Sequence, residues 1–296
     1  MNYVVKKLIY DRNAISTKEA IIKISPISKN YDFENYFLKT TKRKYFLKIN
    51  RKVSDQCLVI NKMYNDIQSS PLTRREIYYA DKKIILMEYF ETRGADKKNF
   101  NQRMLGEKIA KFHLERKPHD GYGYEYDTYI GSLLQQNKIC RSWKKFFLSQ
   151  RYDCLFDKIR ESMRVDSELC DKILVTRDYI DRNLNEPNSS TLIHGDIWSG
   201  NILMCRNGNL KIIDPALFYA DSEYELAYLY LNGTFGRGFY DSYKSNSQIT
   251  DDFWQFKLYI YQIIPLMQYA LLEGSIYLRE MEKILDLLIN RGNLKY

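Results

Sequence analysis

The chain has 296 residues, of which 45% are hydrophobic and 28% charged, a globular composition with room for two compact parts and, with 13 Gly and 6 Pro, little material for flexible linkers. Its net charge of +9 is dispersed along the sequence, which argues against a nucleic-acid partner and suits an anionic nucleotide. Cys57, Cys140, Cys154, Cys170 and Cys205 are scattered without a CxxC pair, so buried free thiols are expected in place of a disulfide framework or a zinc site.

Five short runs rich in β-branched and aromatic residues, at 20–24, 33–38, 44–49, 75–79 and 83–88, predict a small antiparallel sheet. Residues 25–30, Ser-Pro-Ile-Ser-Lys-Asn, stand between the first two runs as a loop without glycine, and Ser28 is its candidate for contact with phosphate. Overlapping the third run, Tyr45-Phe46-Leu47-Lys48-Ile49-Asn50 places Lys48 on a strand. Residues 54–68 follow with apolar positions at Leu58, Ile60, Met63, Tyr64 and Ile67, a helical spacing. One helix inserted in a five-stranded sheet is the plan of a kinase nucleotide-binding lobe. Met87, Glu88 and Tyr89 end the last run and are candidates for nucleotide contact; Phe90 to Gly94 reads as a hinge, giving a nucleotide-binding part at 1–94 and a catalytic, substrate-binding part at 95–296.

Helices are predicted from there on. Residues 101–116 align Leu105, Ile109 and Phe112, and 142–163 align Trp143, Phe147, Cys154, Ile159 and Met163. A helix near 168–184 stops at Glu186-Pro187-Asn188-Ser189-Ser190, and the strand Thr191-Leu192-Ile193 then enters His194-Gly195-Asp196. Runs 202–205 and 210–213 flank Asn207-Gly208, a pair that predicts a hairpin with a type I′ turn, and this hairpin delivers Asp214. The apolar stretch from Leu258 to Leu272 carries Gln262, Pro265 and Gln268 and falls short of the roughly 20 residues of a membrane span, so it is expected as a buried helix kinked at Pro265. No export signal follows Met1 to Lys7, and the cytoplasm is the expected location.

Phosphoryl transfer requires a carboxylate that orients and deprotonates the acceptor hydroxyl, and oxygen ligands that hold magnesium against the phosphates. Asp196 and Asn201 keep the spacing of the H-R-D-x-x-x-x-N catalytic loop, with Gly195 in place of its arginine, and Asp214-Pro215 falls where protein kinases carry D-F-G. Asp196 is therefore the expected base, Asn201 and Asp214 the magnesium ligands, and Lys48 the phosphate contact, while His194 is expected in a structural role, bonded to a backbone carbonyl. The expected architecture is α+β and protein-kinase-like, with two lobes: an antiparallel five-stranded sheet with one helix, and a mainly helical part with a catalytic hairpin. One departure stands out: residues 54–68 contain no Glu to pair with Lys48, only Asp55 and Asp66.

His194-Gly195-Asp196-Ile197-Trp198-Ser199-Gly200-Asn201 and Asp214-Pro215-Ala216-Leu217-Phe218-Tyr219 resemble motifs of the fructosamine kinase (ketosamine 3-kinase) family, within the aminoglycoside phosphotransferase and choline kinase group. Ser222 to Ala227, Tyr129 to Asn137 and Trp143 to Arg151 extend the resemblance. It implies ATP- and magnesium-dependent phosphorylation of a sugar hydroxyl on a ketosamine or other glycated amine, with Trp198, Gln135 and Asn137 as substrate contacts and Glu225 as a brace of the catalytic loop. A small-molecule substrate, no nucleic-acid or membrane partner, and a monomer or weak dimer go with it. A choline- or aminoglycoside-type acceptor and a nucleotide-binding pseudokinase are the alternatives.

Overall fold

The computed structural model describes residues 2–52, 54–92, 101–116, 118–233 and 235–292. The chain forms two compact units, Met1–Lys98 with Gly200–Pro215, and Asn99–Ser199 with Ala216–Tyr296. The boundary expected at 94/95 lies outside the described residues, and the hairpin expected in the helical part groups with the sheet.

In the first unit, α1 (Asn2–Asp11) precedes β1 (Ile21–Asn30), β2 (Phe33–Thr40) and β3 (Lys44–Asn50); α2 (Gln56–Asp66) leads to β4 (Ile77–Ala80) and β5 (Ile84–Glu88). The sheet is antiparallel in the order β1-β2-β3-β5-β4. Because side chains alternate along a strand, Leu47 and Ile49 join the core that holds Val5 and Ile9 of α1. Phe46 faces the other side, where Cys57 and Tyr64 of α2 pack with Ile85 and Met87. This alternation also puts Lys48 on the α2 side of the sheet.

Residues 25–30 are not a loop. They continue β1, which pairs with β2 from Ile21↔Thr40 to Asn30↔Phe33, with a register shift between Pro26 and Ser28. An edge strand tolerates the missing N–H of Pro26 at such an irregularity. The reversal is made by Tyr31, at φ 43, and Asp32.

Strands β9 (Ile202–Met204) and β10 (Leu210–Ile212) form the hairpin as expected, but its turn differs. Gly208 N–H donates to Cys205 O at 3.0 Å, and of the Asn-Gly pair Gly208 alone has left-handed φ, at 83. That is a three-residue loop closed by a left-handed glycine, the next commonest hairpin connection after type I′.

The second unit contains α3 (Gln102–Leu114), β6 (Thr128–Ile130), β7 (Leu133–Gln135), α4 (Trp143–Phe147), α5 (Cys154–Ser162), α6 (Ser167–Asn183), β8 (Thr191–Ile193), β11 (Phe218–Ala220), α7 (Ser222–Leu231), α8 (Arg237–Asn246), α9 (Leu258–Glu273) and α10 (Ile276–Gly292). Helices α4 and α5 are joined by a π-helical turn, Leu148–Asp153. Its wider winding shifts the phase of the stripe: Trp143, Phe147 and Ile159 are buried, whereas Cys154 and Met163 are only partly so. The core is aromatic, with Trp143, Phe147, Tyr224 and Tyr261 in mutual ring contact. Trp143 Nε1 donates to Tyr261 Oη at 2.7 Å, and Tyr261 in turn donates to Asp221, the N-cap of α7, at 2.7 Å. Pro265 lies inside α9, most of which is buried. All five cysteines are free; Cys57 and Cys205 are buried and the other three partly so. Among the described residues no helix is long and apolar enough to cross a membrane.

Candidate functional site

The hairpin register decides where two of the sequence-selected residues go. Ile202 pairs with Ile212, and Ile213 N–H donates to Asn201 O at 2.9 Å, so Asn201 and Asp214 come together at the open end of the ladder. Asp214 has φ 57, a left-handed conformation costly for a residue with a Cβ and of the kind concentrated at functional sites. Two contacts hold it there: Tyr64 of α2 accepts the Asp214 N–H on its hydroxyl at 3.0 Å, and Lys48 Nζ lies 2.7 Å from Asp214 Oδ1. Lys48, which has no helix Glu as partner, is thus paired with the carboxylate that ends the hairpin. Tyr64 belongs to the apolar stripe and is fully buried, which raises its hydroxyl above the usual phenol range and keeps it protonated. Its spacing marks it as core; nothing in the spacing signals the polar task of its hydroxyl.

Ser28 takes part in a polar row that crosses three strands. Ser28 pairs with Asn35 and Asn35 with Lys48, and Asn35 Nδ2 donates to Ser28 Oγ at 2.9 Å. Asn35 was not selected from the sequence, because a single Asn in an aromatic run carries no signal until its register with Ser28 and Lys48 is known. At the end of β5, Met87 is buried, Glu88 N–H donates to Glu76 O at 2.8 Å, and Glu88 O accepts from Arg75 Nε at 3.0 Å. Tyr89 makes an edge contact with Phe37.

In the second unit, Asp196 follows β8 on a tight loop. Gly195 has φ 83, and a Cβ there would stand 2.2 Å from Ala216 O. Neither arginine, as in the protein-kinase loop, nor any other side chain fits. Gly195→Ala is expected to cost about 2 kcal/mol or more in stability and to depress turnover, since the backbone that carries Asp196 must shift; thermal unfolding together with a kinase assay checks both. The loop is braced from α7. Glu225 Oε1 accepts from Gly195 N–H at 2.6 Å and Oε2 from His194 N–H at 3.2 Å, and His113 Nε2 lies 2.8 Å from Oε2. Burial alone would raise the Glu225 carboxyl; the His113 bond, the His113 and His194 rings and the Gly195 N–H outweigh it and hold the group below the usual carboxylate range. His194 is fully buried, and its Nδ1 accepts the Asp196 N–H at 3.3 Å. Asp196 Oδ1 accepts from Tyr228 Oη at 2.6 Å.

The three substrate candidates fall in different surroundings. Trp198 is 41% exposed and can offer a ring face to a sugar. Gln135 is buried, within 3.4 Å of both Thr128 and Gln268. Asn137 is 1% exposed; its Nδ2 donates to Tyr126 O and Thr128 Oγ1, and its Oδ1 accepts from Arg151 Nη2 at 2.6 Å. The buried Arg151 also stacks on Phe146 and Phe218, and burial brings its guanidinium down to about 10. The Trp143 to Arg151 motif and Asn137 thus meet in one internal network.

A choline kinase from Streptococcus pneumoniae superposes with a TM-score of 0.66 at 15% identity, covering 98% of this chain and 99% of that one. A protein from Thermobifida fusca, provisionally designated a fructosamine-3-kinase, superposes with a TM-score of 0.79 at 19% identity over 98% and 99% of the two chains. The fold is protein-kinase-like, α+β, of the kind found in phosphotransferases that act on small molecules. The fructosamine kinase family model matches residues 12–291, and the chain belongs to that family. In sequence it is similar to a probable ketoamine kinase of Enterococcus faecium, 27% identical over 270 residues, 89% of this chain and 94% of that relative.

Proposed function

We propose that this protein is an ATP-dependent ketosamine kinase that transfers the γ-phosphoryl group to a sugar hydroxyl of a fructosyl- or ribulosyl-amine, in the manner of a 3-kinase. The observation that carries the reading is the hairpin end: one backbone bond joins Asn201 to Ile213, and Lys48 is bonded to Asp214. Asn201 and Asp214 offer an amide and a carboxylate oxygen, hard donors that fit magnesium, with Lys48 beside them for the phosphates. Bound there, magnesium would neutralise charge on the transferring group. Ser28, with Asn35, faces the phosphates as side-chain donors in a sheet that lacks a glycine loop, and Met87, Glu88 and Tyr89 line the nucleobase. Asp196 takes the proton of the acceptor hydroxyl, and Trp198 stacks on the sugar. Gln135 and Asn137 act on the acceptor from a buried network in which both bond Thr128 and Asn137 bonds Arg151. The product decomposes to release the amine, a deglycation. A cytoplasmic location supplies both ATP and glycated metabolites.

The test is mass spectrometry of a panel of ketosamines incubated with the protein, magnesium and ATP. A phosphorylated fructosyl- or ribulosyl-amine that disappears when magnesium is chelated is the expected result. Turnover confined to choline or aminoglycosides would reassign the acceptor, and nucleotide binding without any turnover would make the protein a pseudokinase.

A further inference from the structure

Tyr228 lies on α7 one turn beyond Glu225, and its hydroxyl is 2.6 Å from Asp196 Oδ1, the length of a charge-assisted O–H···O⁻ bond. The contact continues outward. Tyr269 Oη of α9 lies 3.1 Å from Tyr228 Oη and 2.9 Å from Asn232 Oδ1, while Asn232 Nδ2 donates to Tyr228 O at 2.9 Å. Tyr228 is nearly fully buried. Holding a phenol in such a place without a partner costs free energy, and its bond goes to the carboxylate that the proposed reaction uses.

We propose that Tyr228 is a positioning residue for the base: its hydroxyl donates to Asp196 Oδ1, fixes the rotation of the carboxyl group and restrains its basicity, with Tyr269 and Asn232 orienting the phenol from behind. This rests on Asp196 being the base, and the experiment separates the two.

A donor on the ionised carboxylate stabilises that form over the protonated one, so the carboxyl stays ready to accept a proton without carrying one beforehand. The phenol does not compete for the charge. Burial first, and then the Asp196 carboxylate and Tyr269, hold Tyr228 well above the usual phenol range. Tyr269 is likewise raised, chiefly by burial. The other titratable groups that the contacts within this unit place next to Asp196 are His194, whose ring accepts the Asp196 N–H, and Glu225 with His113 behind the loop. Of the bonds within this unit, the 2.6 Å one from Tyr228 ends on Asp196 Oδ1 itself.

The experiment is ¹³C NMR on full-length protein with carboxyl-labelled aspartate, the Asp196 resonance being assigned by its loss in Asp196→Asn. Tyr228→Phe is expected to raise the Asp196 titration midpoint by about one pH unit, a tenfold gain in proton affinity. Incorporating 2,3-difluorotyrosine at 228 keeps the ring in place and strengthens the donor, and is expected to move the midpoint down. In ketosamine assays Tyr228→Phe is expected to lower kcat about tenfold with KM for ATP unchanged. A midpoint that stays put in both a folded Tyr228→Phe and the fluorinated protein overturns the proposal, because a purely structural tyrosine would leave it so. Should Tyr228→Phe fail to fold, the fluorinated protein alone decides. The NMR measurement does not depend on the acceptor: absent ketosamine turnover with a shifted midpoint sinks the substrate reading and leaves this one standing.

Discussion

Asp196→Asn is expected to lower turnover about 10²–10⁴-fold, the range that a positioned general base contributes, while nucleotide affinity stays at the wild-type level. The amide is nearly isosteric with the carboxylate, and its oxygen can still accept from Tyr228, so the loop keeps its shape. What it cannot do is take the proton of the acceptor hydroxyl as the O–P bond forms. The groups proposed to hold nucleotide and metal, Lys48, Asn201 and Asp214, belong to the other compact unit and keep their contacts. Two measurements therefore separate the roles. Steady-state kinetics should show kcat lost, and calorimetric titration with magnesium and ATP should show an unchanged Kd. Asp214→Asn is expected to do the reverse and weaken nucleotide binding in the presence of magnesium. An Asp196→Asn protein with wild-type turnover would remove Asp196 from the chemistry.

Much of this arrangement can be read from the residues, and the parts that cannot have physical reasons. Strands β2 to β5 and the hairpin follow from runs rich in β-branched and aromatic residues and from Asn207-Gly208, signals that act over a few residues. The extension of β1 through Pro26 is invisible locally, because proline argues against a strand until the strand is known to lie at an edge beside a bulge. Strands β6, β7, β8 and β11 have three residues each, too few for a period; only Thr191 to Ile193 was legible, as the entry to His194-Gly195-Asp196. The π-helical turn at Leu148–Asp153 leaves no mark in a pattern counted at 3.6 residues per turn.

In the proposed site, Asp196, Asn201 and Asp214 were singled out by their spacing around a strand and a hairpin, whereas Lys48, one of several strand lysines with Lys23, Lys39 and Lys44, gained meaning only from that downstream motif. Residues whose polar atom serves from a core position were not legible. Tyr64 has the spacing of a core aromatic and Tyr228 lies in a helix buried along most of its length, and the sequence does not say that each hydroxyl reaches a loop distant along the chain. Asn35 becomes meaningful only through its register with Ser28 and Lys48.

Glu225→Ala is expected to be the most damaging substitution away from the reacting groups. It strips the acceptor from three buried donors at once, the N–H groups of His194 and Gly195 and the ring of His113, and each unsatisfied donor costs about 1–3 kcal/mol. His113 would keep its hydrogen bond with Tyr243, at 2.8 Å. The left-handed Gly195 loses its 2.6 Å bond to Glu225, so the backbone that presents Asp196 loosens and turnover falls with stability. Glu225→Gln separates charge from shape, since its amide keeps one acceptor for the loop while its NH₂ faces a donor. The Glu225 carboxyl is held below its unfolded value of 4.5, so its contribution is fully present above that pH and is lost as pH falls through the lower, folded value. Urea unfolding should therefore show a stability gap between wild type and Glu225→Gln that is constant near neutrality and narrows below about pH 4.5. A gap that widens as pH falls would mean that Glu225 is protonated in the folded protein, and that the loop is held by a neutral acid acting as a donor rather than by a carboxylate gathering three of them.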